Sequence, residues 1–248
     1  MVGKVVVVVG GSAGMGKAAA HRFADEGADV VILARRKERL GEVAAEIGER
    51  VVPIAADVCD ADSVRTGFAA IEARFGRIDV LLNVAGVARA RRIEEASDED
   101  IHAVIGTNFL GPIYTTRAAI PLLRNSGGGD IVNIGSEVTL DDMPLMTLYS
   151  ASKRALDGFT RTMTKELRPE GIRVTLLVAG NVGDSSFSEN FSEDDIRRAF
   201  PVWREDGYLH RVAGTHPMQA SWVADALLYV VTRPRGMMLD VLHARVFD

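Results

Sequence analysis

Tyr149-Ser150-Ala151-Ser152-Lys153 sets a phenol and an ammonium four residues apart. On a helix, side chains at i and i+4 share a face, one turn from each other. A free tyrosine ionises at a pH of about 10 and is a poor acid–base group near neutrality. A nearby ammonium favours the phenolate, so the pair reads as a proton-transfer device tuned toward working pH. Most such pairs are ordinary surface residues, and context must give this one its weight. Ser136 lies upstream at the carboxyl end of a predicted strand. Ligands of open parallel sheets bind at that edge, where a serine hydroxyl can hydrogen-bond a substrate oxygen.

A second constellation runs from Val5 to Gly16, V-V-V-V-V-G-G-S-A-G-M-G. The valine run has no polar face and reads as a strand buried on both sides. The glycines let the backbone turn sharply, and helix-forming sequence follows from Lys17 to Glu26. Strand, glycine turn and helix N-terminus form an anion site, because free N–H groups and the helix dipole favour a phosphate. Two phosphate motifs compete. Gly11, Gly16 and Lys17 match the triphosphate-binding G-x-x-x-x-G-K, but the next residue is Ala18, which has no oxygen to hold magnesium. Gly10, Gly14 and Gly16 form a spacing variant of the dinucleotide-binding turn. A merely structural turn is the third reading.

The elements that position these residues alternate at βαβ spacing. Strands are predicted at 28–34, 51–55, 78–84, 130–134, 172–178 and 238–242, after the valine strand. Helices are predicted to about Gly48 and over 63–75, 97–124, 149–167 and 222–231. This pattern predicts a parallel sheet with right-handed crossovers. Neither a linker nor an internal repeat interrupts it, so residues 1–248 are expected to form one α/β domain. Residues 184–217 break the rhythm, mixing charges with Phe187, Phe191, Phe200, Trp203 and Tyr208.

In a dinucleotide fold the residue ending the second strand faces the adenosine ribose. An acidic residue there takes the 2′-hydroxyl, whereas an arginine accommodates a 2′-phosphate. Arg35 holds that position with Arg36 beside it. The guanidinium pair predicts NADP(H) in preference to NAD(H); the alternative is a solvated charge run opening a helix. Asp57, after the third strand, has two readings of equal standing, a bond to the adenine amino group and a helix cap.

Composition narrows the class. Among 248 residues, 47% hydrophobic and 25% charged is ordinary for a soluble globular protein. A formal charge of −5 gives no reason to expect nucleic-acid binding. The single cysteine, Cys59, excludes an internal disulfide and fits a reducing compartment. Five histidines lack metal-ligand spacing, so no metal site is expected. The apolar N-terminal run is too short for a membrane span and meets glycines instead of a cleavage site. The expected setting is cytoplasmic, with no membrane partner.

Together these motifs resemble the short-chain dehydrogenase/reductase family over essentially the whole chain. The matching pieces are Gly10, Gly14 and Gly16; Asp57; Asn83, Ala85 and Gly86; Asn108; Ser136; and Tyr149 with Lys153. The resemblance implies a doubly wound seven-stranded parallel sheet (a Rossmann fold) and a nicotinamide cofactor. It places Gly10, Ser12, Ala13, Gly14, Met15 and Gly16 at the pyrophosphate. Arg35, Arg36, Asp57, Val58, Asn83, Ala85 and Gly86 follow along the cofactor, and Gly180 and Val182 lie at its nicotinamide end. It implies a catalytic tetrad. Tyr149 exchanges a proton with the carbonyl or alcohol oxygen, and Ser136 orients that oxygen. Lys153 binds the nicotinamide ribose and lowers the tyrosine pKa, and Asn108 holds a water of the proton relay.

Several positions depart from the family pattern. Val9 replaces a Thr, Val84 an Asn and Gly135 a Ser. Ala179 and Asp184 replace the Pro and the Thr of P-G-x-V-x-T, and the C-terminus lacks the common V-D-G-G ending. Asp184 cannot donate to the carboxamide unless protonated. The family reading makes residues 184–217 a substrate lid. Its aromatic residues, with Met143, Leu145 and Met146, either line an apolar pocket or pack the lid onto the body or a subunit interface. Asp141, Asp142 and the arginines near Arg89 read as solvated loop charges or as marks of polar substrate groups. The expected protein reduces a ketone or aldehyde, or oxidises an alcohol, of a bulky apolar kind, as a homodimer or homotetramer. The alternative is a cofactor-binding sensor or scaffold that has lost turnover.

Overall fold

In the computed structural model the valine run becomes β1 (Val5–Val9), and its side chains divide by alternation. Val6 and Val8 enter one apolar cluster, Val7 and Val9 the other, and all five are nearly inaccessible. A strand buried on both faces must lie inside a sheet covered by helices on both sides. The structure describes residues 1–185, 189, 191–208 and 216–246.

After β1 the chain alternates helix and strand: α1 (Gly14–Asp25), β2 (Asp29–Ala34), α2 (Lys37–Ile47), β3 (Val51–Ala55), α3 (Ala61–Phe75) and β4 (Val80–Asn83). The second half contains α4 (Asp98–Ile105), a wide π turn (Gly106–Leu110), α5 (Gly111–Asn125), β5 (Gly129–Ser136) and α6 (Thr147–Leu167). It continues with β6 (Ile172–Ala179), α7 (Glu193–Glu205), α8 (Ala220–Val231) and β7 (Val241–Ala244). The sheet order is β3-β2-β1-β4-β5-β6-β7 with every neighbouring pair parallel. One apolar cluster packs α1, α2 and α8 on one face, and the other packs α3 and α5 on the opposite face. This is the doubly wound Rossmann arrangement, with all strand C-termini along one edge.

Two predicted elements differ. The helix expected over 97–124 is interrupted by the π turn. Pro112 has no N–H to donate to the Asn108 carbonyl, so the regular ladder cannot continue there. Gly106 and Gly111 bracket the turn, and a Cβ at either would press on Cys59 Sγ (2.9 Å) or Val58 Cβ (3.0 Å). The last strand starts later than the predicted 238–242. Arg173, on β6, donates to the carbonyls of Val231, Arg233, Pro234 and Met237, which holds the chain after α8 in a turn. Only then does β7 pair with β6. No helix in the structure is long and apolar enough to cross a membrane.

Candidate active site

The order of strands reverses between β1 and β4, and a crevice opens at such a switch point. Gly10 lies there at φ +91°, and a Cβ on it would stand 2.7 Å from the Ala85 nitrogen. A Cβ on Gly16 would collide with the Gly10 carbonyl oxygen. The turn from β1 to α1 therefore requires glycine at both positions. The residue before α1, Ala13, offers its helix no side-chain cap. The first N–H groups of α1 are left for an anion, the chemistry a pyrophosphate needs. Ser12, Ala13 and Gly14 line a cleft of about 400 Å³ whose far side is formed by Asp184 and Ser185. Lys17 is directed elsewhere, to Glu46 of α2 at 2.7 Å. The residues present thus fit a dinucleotide better than a magnesium triphosphate.

Along the same edge, Arg35 is exposed immediately after β2, and Arg36 precedes α2 without a side-chain cap bond to it. Neither forms an ion pair among the described residues. Asp57 is no helix cap: Asp60 caps α3, while Asp57 Oδ1 accepts from the Cys59 N–H at 2.9 Å. Val84 and Ala85 donate their N–H groups to the Val9 carbonyl, so the valine in place of threonine leaves this junction bonded. Asn83 points into the core instead of the crevice. Its Nδ2 donates to Asn133 Oδ1 at 2.8 Å, and its Oδ1 accepts from Thr115 at 2.7 Å. Asn133 in turn donates to Thr160 on α6. This buried relay ties β4, β5, α5 and α6 together beneath the site.

The candidate tetrad converges above that relay. Asn108, fully buried, donates to the Val87 carbonyl and to Ser152 and accepts from the Val87 N–H at 2.9 Å. A Cβ on Gly86 would lie 3.6 Å from both Asn108 Oδ1 and Lys153 Nζ, which marks where those side chains meet. Lys153 Nζ donates to the Ile134 carbonyl at 2.9 Å and stands 5.7 Å from the Tyr149 ring centroid. Tyr149 is hydrogen-bonded to Ser136. Burial pushes the phenol up to about 12, and the Ser136 bond opposes that shift. Burial also pushes the Lys153 ammonium down to about 8. The tyrosine pKa lowering expected from the sequence is therefore reversed here, because desolvation dominates both groups. A neutral phenol is the form that donates a proton.

At the other end, Gly180 and Val182 follow β6, and Val182 bridges Met218. Asp184 has a use the sequence did not reveal. Its Oδ1 accepts from the Ala220 N–H at 2.6 Å, capping α8 from outside the helix. Of the aromatic residues in 184–217, Trp203 and Tyr208 pack on the body: Trp203 Nε1 donates to the Pro144 carbonyl at 2.8 Å, and Tyr208 bonds the Asp142 carbonyl. Phe191 meets Trp203 edge to face. They join Val138, Met146 and Tyr149 in one apolar cluster, with Met143 and Leu145 at its margin. Phe200 is 49% exposed and does not pack on the body. Phe187 lies outside the described residues. Of the arginines near Arg89, Arg89 and Arg91 each approach Asp100 at 3.1 Å, whereas Arg92 is exposed. Asn133, Ser152 and Glu137 are the residues of this region that sequence reasoning missed.

A parallel Rossmann sheet that brings an anion-binding turn and a Tyr–Ser–Lys constellation to one edge defines a nucleotide-dependent oxidoreductase. The family model described as short chain dehydrogenase matches residues 4–195. Carbonyl reductase family member 4 of Danio rerio is 36% identical over 204 residues, 81% of this chain and 84% of the relative. Sulfoacetaldehyde reductase 2 of Chromohalobacter salexigens is 33% identical over 243 residues, 96% and 92% of the two chains. A solved serine dehydrogenase, in its closed form with NADP+, superposes with a TM-score of 0.85 at 29% identity, covering 97% of this chain and 94% of its own. The chain belongs to the short-chain dehydrogenase/reductase family.

Proposed function

We propose that this protein is an NADP(H)-dependent dehydrogenase/reductase acting between a carbonyl compound and the corresponding alcohol. The observation that carries this reading is the Ser136–Tyr149 hydrogen bond, with Lys153 beside it, at the sheet edge that also holds the uncapped α1 N-terminus. When bound, the nicotinamide supplies or accepts the hydride. In reduction, Ser136 and Tyr149 hold the carbonyl oxygen, and the Tyr149 phenol gives it a proton. The Lys153 ammonium steadies the charge left on Tyr149, and Asn108, anchored on Val87, holds the inner end of the proton path. Arg35 and Arg36 favour a 2′-phosphate, and the NADP+ held by the serine dehydrogenase neighbour agrees with that choice. Residues 184–217 serve as the lid, and its aromatic cluster gives the substrate side an apolar wall.

Fluorescence titration with NADPH and NADH, then NADPH oxidation over a panel of ketones and aldehydes, tests this. Tyr149→Phe should lower kcat by roughly 10²- to 10⁴-fold, the usual worth of a positioned acid. Arg35→Asp should weaken NADPH binding by about 10- to 100-fold and spare NADH. Undiminished activity in Tyr149→Phe refutes the assigned acid, and equal losses for both cofactors refute the phosphate assignment. Binding without turnover on any substrate would favour the sensor alternative.

A further inference from the structure

Glu137 directly follows Ser136, and nothing in the scheme above uses it. Its carboxylate lies on Gly180. The atoms nearest a Cβ built on that glycine are Glu137 Oε2, Cδ and Oε1, at 2.6, 2.8 and 3.1 Å. The register explains the contact. Ser136 pairs with Ala179, and Ala179 with Ala244, so the next residues, Glu137, Gly180 and Arg245, form a row across the ends of β5, β6 and β7. The missing side chain at Gly180 opens the gap that the carboxylate occupies. Glu137 has neither a hydrogen-bond nor an ion-pair partner among the described residues; Arg245 and His243 act on it through space. A half-buried carboxylate is an acceptor only, and it gains most from a charged donor. The side chains of Val138, Met146 and Trp203, in the apolar cluster that includes Tyr149, carry no charged acceptor.

We propose that Glu137 determines specificity by accepting a hydrogen bond from an ammonium group on the carbon next to the reacting one, so that amino alcohols and amino ketones are the preferred substrates. The inference rests on the dehydrogenase reading above and narrows it: Glu137 puts an anionic group one residue from the carbonyl-binding Ser136. The chemistry is unchanged by the ammonium. Oxidation takes the carbinol hydrogen as hydride to the nicotinamide and the hydroxyl proton out through Tyr149. The C–N bond and the N–H protons stay intact. A site that hydrogen-bonds a substrate group rejects the analogue lacking it more sharply than an apolar site rejects a methyl.

The test compares 1-amino-2-propanol with 2-butanol, which puts a methyl where the ammonium stood, using NADP+ near neutral pH. The wild type should favour the amino alcohol in kcat/KM by roughly 10- to 100-fold, the worth of one charge-assisted hydrogen bond. Glu137→Gln should abolish most of that ratio and Glu137→Leu should invert it, with thermal melts reporting that both variants fold. A wild type indifferent to the ammonium, or a Glu137→Gln variant that loses both alcohols equally, overturns the assignment. In those cases turnover of 2-butanol leaves the dehydrogenase reading standing. A wild type that binds NADPH but turns over neither alcohol, nor any ketone of the wider panel, sinks both.

Discussion

Lys153 holds an ammonium almost wholly out of water, 3% exposed, with the Ile134 carbonyl as its one hydrogen-bond acceptor among the described residues. Its pKa of about 8 lies below that of Tyr149, pushed up to about 12, so the lysine loses its proton first as pH rises. Carbonyl reduction should therefore have an alkaline limb that falls through about pH 8 and belongs to Lys153. A pH profile of kcat/KM with a flat region extending to the ordinary tyrosine range would overturn this. Stability should move the opposite way. Between the folded pKa of about 8 and the unfolded value of 10.5 the unfolded chain binds more protons, so this lysine makes stability rise with pH in that window. Tyr149, Lys153 and the glycines were legible because their spacing is local. Asp184 was legible only as a departure, since its partner, the Ala220 N–H, comes from a segment 36 residues away. Glu137 is one residue past a recognised serine, but only the strand register discloses that it lies on Gly180.

At the scale of elements, the alternation of strand and helix was visible because most strands are short apolar runs, several of them β-branched, set between longer helix-forming stretches. The π turn has a local cause in Pro112, but a proline there is equally compatible with a kink or a helix end; the late β7 was hidden because it follows from the contacts Arg173 makes with a distant segment. The segment around α7 shows the same dependence. α4 and α7 both begin with capping boxes, Ser97 with Asp100 and Ser192 with Asp195. Arg91 bridges the two helix starts, reaching Asp100 at 3.1 Å and Asp195 at 3.4 Å. Asp195 is 1% exposed, so removing its cation leaves a buried carboxylate with little compensation. Arg91→Met should loosen α7 by about 2 kcal/mol, less than for a fully buried pair because Arg91 itself is partly solvated. Limited proteolysis between α7 and α8 should then accelerate while global unfolding shifts little. Cleavage at the wild-type rate would show that α7 is held elsewhere. Leu145, at φ +67°, lies in the loop beneath, where its carbonyl accepts from the Arg91 N–H. The same residue thus secures a backbone conformation that a leucine adopts only at some cost.

Across the whole molecule, chemistry and stability occupy opposite edges of the sheet. The C-terminal edge carries the crevice. The N-terminal edge carries Asp130, held by Arg173 at 2.6 Å and by Arg235 at 3.0 Å, while Arg173 also gathers four carbonyls after α8. Burial pushes the Asp130 carboxyl up, against the pull of both arginines. Arg173→Met should destabilise the fold by about 3–5 kcal/mol, lowering Tm by roughly 10 °C, because it strands a buried carboxylate and several acceptors. NADPH affinity at ambient temperature should not change. A loss of affinity equal to the loss of stability would mean that the two edges are coupled.

The Asp184–Ala220 bond gives the crevice an internal gauge. One carboxylate on the cofactor side protects a single amide at the head of α8, a helix otherwise anchored against α1. Any swing of the turn after β6 must release that amide to solvent, whatever happens to the rest of the helix. Hydrogen exchange at Ala220 should therefore report any displacement of this turn from α8, without a substrate and without turnover.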